Sequence, residues 1–441
     1  MSKAQSFGAA ARSYLKPRPF GAFLLGISSG FPLTLLIWTM AYWLAKVGVD
    51  KRTIGFAFAL GTPYTLKFLW APLIDGVSIP LLTPLLGQRR AWLWTVQLLL
   101  AGALVELGAS DPAHHIDRFA LWGVVVAFLS ATQDIVIDAY RIESLPDDEL
   151  AQGTATNQVG YRTGDLLAGA GTVYLASSEG AGLGWAAAYA LTALLVLPGS
   201  IASLWLGPGT HTAARGRGPA LHIFADFFRH NVVAPFVEFL KRRGSLLILL
   251  FVMTYKIGDA LGQNMLPPMI VHLGFTDTEY IAISKLVRFW GLVAGSLVAG
   301  ALIARFGVAR LLFWAGAMMI VANLMFALVA EAGHSVPLLT LAAATENLFA
   351  AISLTVFVTY LSGLTNTAFT ATQYALLTSV AALARTFAAA PSGVVADDLG
   401  FTDFYIFCAV LGVPGLVLLF FMRRSGFVGE NVRREGAEQA A

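Results

Sequence analysis

Ser130-Ala-Thr-Gln-Asp134-Ile-Val-Ile-Asp138-Ala-Tyr-Arg141 closes an apolar run that begins near residue 118, so two aspartates and an arginine lie in or at the end of a stretch long enough to cross a bilayer. On a helix of 3.6 residues per turn, positions 134, 138 and 141 share one stripe. Hydrocarbon does not solvate a carboxylate, so such a stripe faces protein or a wet cavity. The segment reads as a membrane helix with a polar working face.

The rest of the chain agrees. Of 441 residues, 57% are hydrophobic and only 12% charged, with mean hydropathy +0.70. A soluble chain carries roughly twice that charged fraction. Crossing about 30 Å of hydrocarbon takes some 20 apolar residues. By that ruler twelve helices are expected, near 19–45, 52–74, 91–109, 118–140, 152–176, 184–206, 246–269, 279–304, 308–330, 337–361, 367–390 and 402–422. A β-barrel would alternate over ten-residue strands, and no such pattern occurs. The fold class is therefore an all-α polytopic membrane protein.

Charge placement sets an expected orientation. Of the 29 Lys and Arg, nineteen fall at the two ends or in loops after even-numbered spans, and only Lys46, Lys51, Arg52 and Arg118 fall in the opposite loops. The positive-inside rule then places both termini in the cytoplasm. Residues 1–18 are polar and basic and lack a signal-peptide pattern, so the first span is expected to stay as an anchor. The single cysteine, Cys408, excludes an internal disulfide.

Residues 207–243 interrupt the rhythm between Gly207-Pro208-Gly209 and Lys241-Arg242-Arg243. Within them Phe224, Phe227, Phe228, Val232, Val233, Phe236 and Phe239 recur at near-helical spacing, as in an interfacial amphipathic helix or a linker packed on the bundle. The chain thus divides into residues 1–206, the cytoplasmic segment 207–243, residues 244–424, and a tail 425–441 expected to be disordered. The halves echo each other: Thr370-Ala-Thr-Gln373 opens span eleven as Thr154-Ala-Thr-Asn-Gln158 opens span five. Two pseudo-symmetric six-helix halves around a central site are an alternating-access transporter design.

Six cations lie within expected spans, Lys67, Arg162, Lys256, Lys285, Arg288 and Arg385, alongside five acids, Asp134, Asp138, Asp165, Asp259 and Glu346. Each costs about 2.5–3.5 kcal/mol at a helix centre, and eleven uncompensated charges exceed a typical stability of about 5–15 kcal/mol. Most must be paired or hydrated. Arg162 with Asp165, and Lys256 with Asp259, stand three apart and are helix-surface neighbours. Lys67 and Asp134 lie at similar depth and are placed to meet across the bundle. Lys285 and Arg288 have no acid nearby on their span, which suits them to an anionic ligand, to snorkelling or to distant pairing with Glu346. Arg385 has the same standing.

Several blocks resemble a known family. Ala71-Pro-Leu-Ile-Asp75-Gly followed by Gly87-Gln-Arg89-Arg90 is similar to the major facilitator signature after the second helix, and Gly300-Ala-Leu-Ile-Ala304-Arg305 repeats it without the acid. Gly26-Ile-Ser-Ser-Gly30-Phe-Pro32, Gly61-Thr-Pro63-Tyr-Thr-Leu-Lys67-Phe-Leu-Trp70, and Ala131-Thr-Gln133-Asp134 through Tyr140-Arg141 resemble the AmpG muropeptide permeases. The acetyl-coenzyme A transporters have similar blocks and are the main competitor.

The resemblance implies the major facilitator fold. It also implies proton-driven import of GlcNAc-1,6-anhydro-muropeptides across the bacterial inner membrane, serving peptidoglycan recycling and, through its cargo, β-lactamase induction. No cofactor is implied beyond the proton gradient. The expected partners are an anionic small molecule and the lipid bilayer, with no nucleic acid, and a monomer is the default.

Under this reading Lys67, Arg162, Lys256, Lys285, Arg288 and Arg385 are candidates for cargo carboxylates, with Arg suited to a bidentate fork. Tyr64 and Trp290 offer faces for sugars, although packing or facing lipid is the simpler role for an aromatic. Gln133, Gln158, Gln263 and Gln373 offer amides. Desolvation favours a protonated carboxylate and a nearby cation opposes this. Cargo that competes for the cation therefore shifts the acid's proton affinity, which marks Asp134 first, then Asp165, Asp259 and Glu346, for coupling. Asp75, Arg89, Arg90, Asp138 and Arg141 are gating candidates. The histidines form no metal-ligand spacing and no phosphate-binding glycine loop occurs, which argues against an enzyme or an ATP-driven pump. A receptor built on a transporter scaffold would have no need of titratable groups in its core.

Overall fold

The computed structural model describes residues 13–14, 16–49, 58–209, 233–276, 279, 283 and 287–425. The start of span two, Lys285, the tail, and the part of the central segment that contains Phe224 to Val232 lie outside the described residues. Everything regular in the described residues is helical. We label the long elements α1 (Pro17–Lys46), α2 (58–76), α3 (Gln88–Ala109), α4 (Ile116–Ser144), α5 (150–176), α6 (Gly184–Leu206), α7 (Ser245–His272), α8 (Arg288–Phe306), α9 (Val308–Ala332), α10 (Val336–Gly363), α11 (Thr370–Ala389) and α12 (Ser392–Arg424).

Nine of these are long and apolar enough to cross a membrane, among the described residues, so the chain is a multi-pass membrane protein. The three outside that set are α2, α5 and α11. The first is broken into short pieces, and the others carry polar residues such as Gln158, Arg162, Asp165, Gln373 and Arg385. Helix α4 runs past the expected 140 because Arg141 and Glu143 are buried and bonded rather than solvated. Helix α12 changes direction at Gly400, where φ is 75°, so a short helix precedes the expected span.

The contacts divide the chain into two compact units, Ser13–Pro235 with Thr367–Leu376, and Phe236–Asn366 with Leu377 onward. The first turns of α11 thus pack within the N-terminal unit. That unit's core gathers Phe31, Leu35, Leu104 and Val126 with an aromatic group in which Trp43 meets Phe119 and Trp185, each at 5.1 Å. In the C-terminal unit Met269, Phe326, Ala342, Phe404 and Tyr405 fill the same role.

The closest packing joins α1 to α5. A Cβ added at Gly26, Gly30, Gly160 or Gly164 would stand 2.2, 2.1, 2.0 or 2.3 Å from a backbone carbonyl oxygen of the facing helix. Two glycines four apart on each helix therefore interlock, and the backbones touch. Gly26 and Gly30 are the surface by which α1 contacts α5. Beyond the glycines both helices widen into a π turn, Leu35–Thr39 in α1 and Leu167–Gly171 in α5, and Thr39 Oγ1 donates to the Ala168 carbonyl at 3.0 Å between them.

Helix α2 is irregular by construction. Pro63 and Pro72 sit in the first turns of the short helices Thr62–Leu66 and Ala71–Gly76, where a missing N–H costs nothing. Between them a 3₁₀ turn, Lys67–Leu69, carries the lysine.

Candidate functional site

The N-terminal unit assembles the stripe of α4 around Lys67. Lys67 is 5% exposed, and its Nζ pairs with Asp134 Oδ2 and lies 3.8 Å from Asp138 Oδ2. Ser29 of α1 donates through Oγ to Asp134 Oδ1 at 2.8 Å. Arg141 reaches Asp138 Oδ1 at 3.5 Å, donates to Thr154 Oγ1 at 2.9 Å, and lies over the Tyr374 ring at 5.8 Å. Two acids and two bases thus alternate in charge along a row. The 3₁₀ turn of α2 supplies one cation, and residues one and two turns apart on α4 supply the rest.

Gln133 has a different task from the one its sequence position suggests. Pro32 lacks an N–H, so the Ser28 carbonyl one turn earlier loses its helical donor. Gln133 Nε2 fills that vacancy, donating to Ser28 O at 2.5 Å from a fully buried position. Gln373 is likewise buried and gives its amide to the Pro235 carbonyl at 3.2 Å. Neither side chain is open to a ligand.

A second cluster lies where α2, α3 and α4 meet. Arg89 is fully buried and its Nη2 reaches Asp75 Oδ1 at 2.6 Å and Glu143 Oε1 at 2.7 Å, with Nε adding a second bond to Glu143 at 3.0 Å. Asp75 Oδ2 accepts from the Thr372 amide at 2.8 Å and its hydroxyl at 2.7 Å, at the start of α11. A carboxylate there satisfies free helix N–H groups and meets the positive end of the helix dipole. Glu143 and Thr372 escape a reading by spacing, since both are brought to Asp75 and Arg89 only by tertiary contacts. Arg90 makes no ion pair among the described residues and donates to the Leu204 carbonyl at 3.2 Å.

This contrast gives a prediction. Arg89→Met strips two buried carboxylates of the guanidinium they share, and breaking a buried pair costs about 3–5 kcal/mol. Thermal unfolding of the purified protein should fall by many degrees, whereas Arg90→Met should leave it near wild type.

In the C-terminal unit Lys256 Nζ pairs with Asp259 Oδ2 at 2.8 Å, as the spacing predicts. Gln263 Nε2 donates to the buried Glu346 at 2.6 Å. Both line a pocket of about 110 Å³ with Arg288 and Asn347. Arg288 and Arg385 are exposed and make no ion pair among the described residues. Trp290 stands 66% exposed, edge-on to Phe289 at 5.4 Å. Tyr64 is half-buried in α2.

No group of three or more His, Cys, Asp or Glu among the described residues is placed to hold a metal. What the geometry offers is charge held inside membrane helices, in both units.

Comparison with known proteins fits this geometry. The fold matches the human organic anion transporter MFSD10 with TM-score 0.64, at 18% identity, covering 92% of this chain and 99% of that one. It matches the proton:xylose symporter XylE with TM-score 0.62, at 17% identity, covering 94% and 96%. These likenesses show a major facilitator fold. It is 33% identical to the anhydromuropeptide permease of Escherichia coli (strain K12) over 415 residues, 94% of this chain and 81% of that protein. It is 31% identical to putative transporter AmpG 4 of Rickettsia conorii, covering 92% and 96%. The chain belongs to the AmpG permease family. A family model described as acetyl-coenzyme A transporter 1 matches residues 24–181.

Proposed function

We propose that the protein is a proton-coupled secondary transporter that carries GlcNAc-1,6-anhydro-muropeptides into the cytoplasm across the bacterial inner membrane, by alternating access, for peptidoglycan recycling. In this reading it has twelve transmembrane helices, with both termini in the cytoplasm, and acts as a monomer. One observation carries the proposal: Lys67 lies between Asp134 and Asp138 on a membrane helix of a chain whose AmpG-family likeness runs nearly end to end. Buried acids beside a cation suit proton coupling, and unpaired arginines suit a cargo with carboxylates.

Transport of acetyl-coenzyme A is the second reading, favoured by the family model over residues 24–181. The two separate in a binding experiment with purified protein. Labelled anhydro-muropeptide should bind and be displaced by unlabelled muropeptide but not by acetyl-coenzyme A. Binding of the coenzyme A thioester alone would replace the first reading with the second.

A further inference from the structure

Arg162 on α5 is held only loosely by the partner its sequence provides. Asp165, three residues on, is the natural acid for it, and the two form an ion pair at 3.8 Å, between Nη1 and Oδ2, that is longer than a hydrogen bond. The Asp165 Oδ1 atom instead takes the hydroxyl of Thr34 on α1. Arg162 makes no hydrogen bond to any described residue; its guanidinium lies over the Tyr161 ring at 5.5 Å, and 22% of the side chain is exposed. One turn earlier, half-buried Gln158 also leaves its amide unbonded among the described residues. Five N–H donors and an adjacent amide thus make no hydrogen bond to a described residue, on a helix where each such charge costs about 2.5–3.5 kcal/mol.

The arrangement has a cause in the packing. Interlocking of Gly26 and Gly30 with Gly160 and Gly164 brings α1 against α5, close enough for a side chain as short as threonine to reach across. Thr34 is the last residue before one π turn, and Asp165 stands one residue before the end of the α-helical stretch that precedes the other. The Thr39 bond to Ala168 fixes the two turns together. Thr34 therefore holds Asp165 on a rigid frame, at ion-pair rather than hydrogen-bond distance from Arg162.

We infer that Arg162, with Gln158 beside it, binds a carboxylate of the transported molecule, and that Thr34 is a positioning residue that keeps Asp165 from closing to hydrogen-bond distance on the guanidinium. The inference rests on the transporter reading above and names the group that selects acidic cargo. A guanidinium–carboxylate fork is charge-assisted and specific in geometry, unlike a contact to a neutral amide.

The test is initial-rate uptake into proteoliposomes of anhydro-muropeptide and of the same molecule with its stem carboxylates amidated. Arg162→Gln should raise KM for the acid roughly tenfold or more, on the usual scale for a hydrogen bond to a charged group, and leave KM for the amide unchanged. Thr34→Val should raise KM for the acid as Asp165 turns onto Arg162. Thr34→Ser should not. An equal rise for both ligands in Arg162→Gln, or wild-type kinetics in Thr34→Val, would overturn the assignment while leaving the permease reading intact. Wild-type protein that takes up neither ligand would overturn both. Thermal unfolding of each variant separates a local effect from a lost fold.

Discussion

A methyl group at position 160 should cost the protein its fold. The Cβ of Gly160→Ala would stand 2.0 Å from the Phe23 carbonyl oxygen, and the neighbouring Gly164, Gly26 and Gly30 leave the facing backbone no room to retreat. Overpacking against side chains costs about 1–3 kcal/mol because they can turn aside. Backbone cannot, so relief requires α1 and α5 to separate and expose Thr34, Asp165 and Asn157, whose amide donates to the Ala22 carbonyl at 3.1 Å. Gly171→Ala, in the same helix, meets nothing within 4 Å and serves as the control. Size-exclusion profiles of detergent extracts should show the Gly171 variant near wild type and the Gly160 variant aggregated or absent.

The second large effect falls on activity rather than on folding. Asp134→Asn should abolish uphill uptake while leaving the protein folded and inserted. The substituted side chain keeps an oxygen for the Ser29 hydroxyl, and Lys67 retains Asp138 at 3.8 Å, so no buried cation is stranded. What disappears is a carboxylate that can take up a proton beside the lysine. Exchange of cargo at equal concentrations on both sides should persist, because it needs no net proton movement. Lys67→Met is the opposite case: it leaves two carboxylates without their shared ammonium, and should destabilise the protein by about 3–5 kcal/mol. Accumulation against a gradient by the Asp134 variant would remove Asp134 from the coupling role.

Much of this was legible in the chain because its causes are local. Hydropathy marks the long helices, and a three-residue spacing marks Lys256 with Asp259. The depth of Lys67 and Asp134 in their spans was enough to propose their pairing. Tertiary contacts hide the rest. Pro32 announces that the Ser28 carbonyl lacks a donor, but nothing in the sequence says that Gln133, 105 residues on, supplies it. The same four-residue spacing of Gly26 with Gly30 and of Gly160 with Gly164 is visible on inspection, whereas their interlocking is not. Arg162 shows the limit most clearly. Spacing correctly pairs Asp165 with it, and a threonine from another helix then takes the acid's second oxygen.

The central claim, proton-driven uptake of an anhydro-muropeptide, is tested most directly in proteoliposomes holding the purified protein. Labelled GlcNAc-1,6-anhydro-muropeptide is supplied outside, with and without an inward proton gradient. Accumulation above the external concentration is expected only when the gradient is present, with collapse when a protonophore is added. Uptake that reaches the same level with and without the gradient would contradict it.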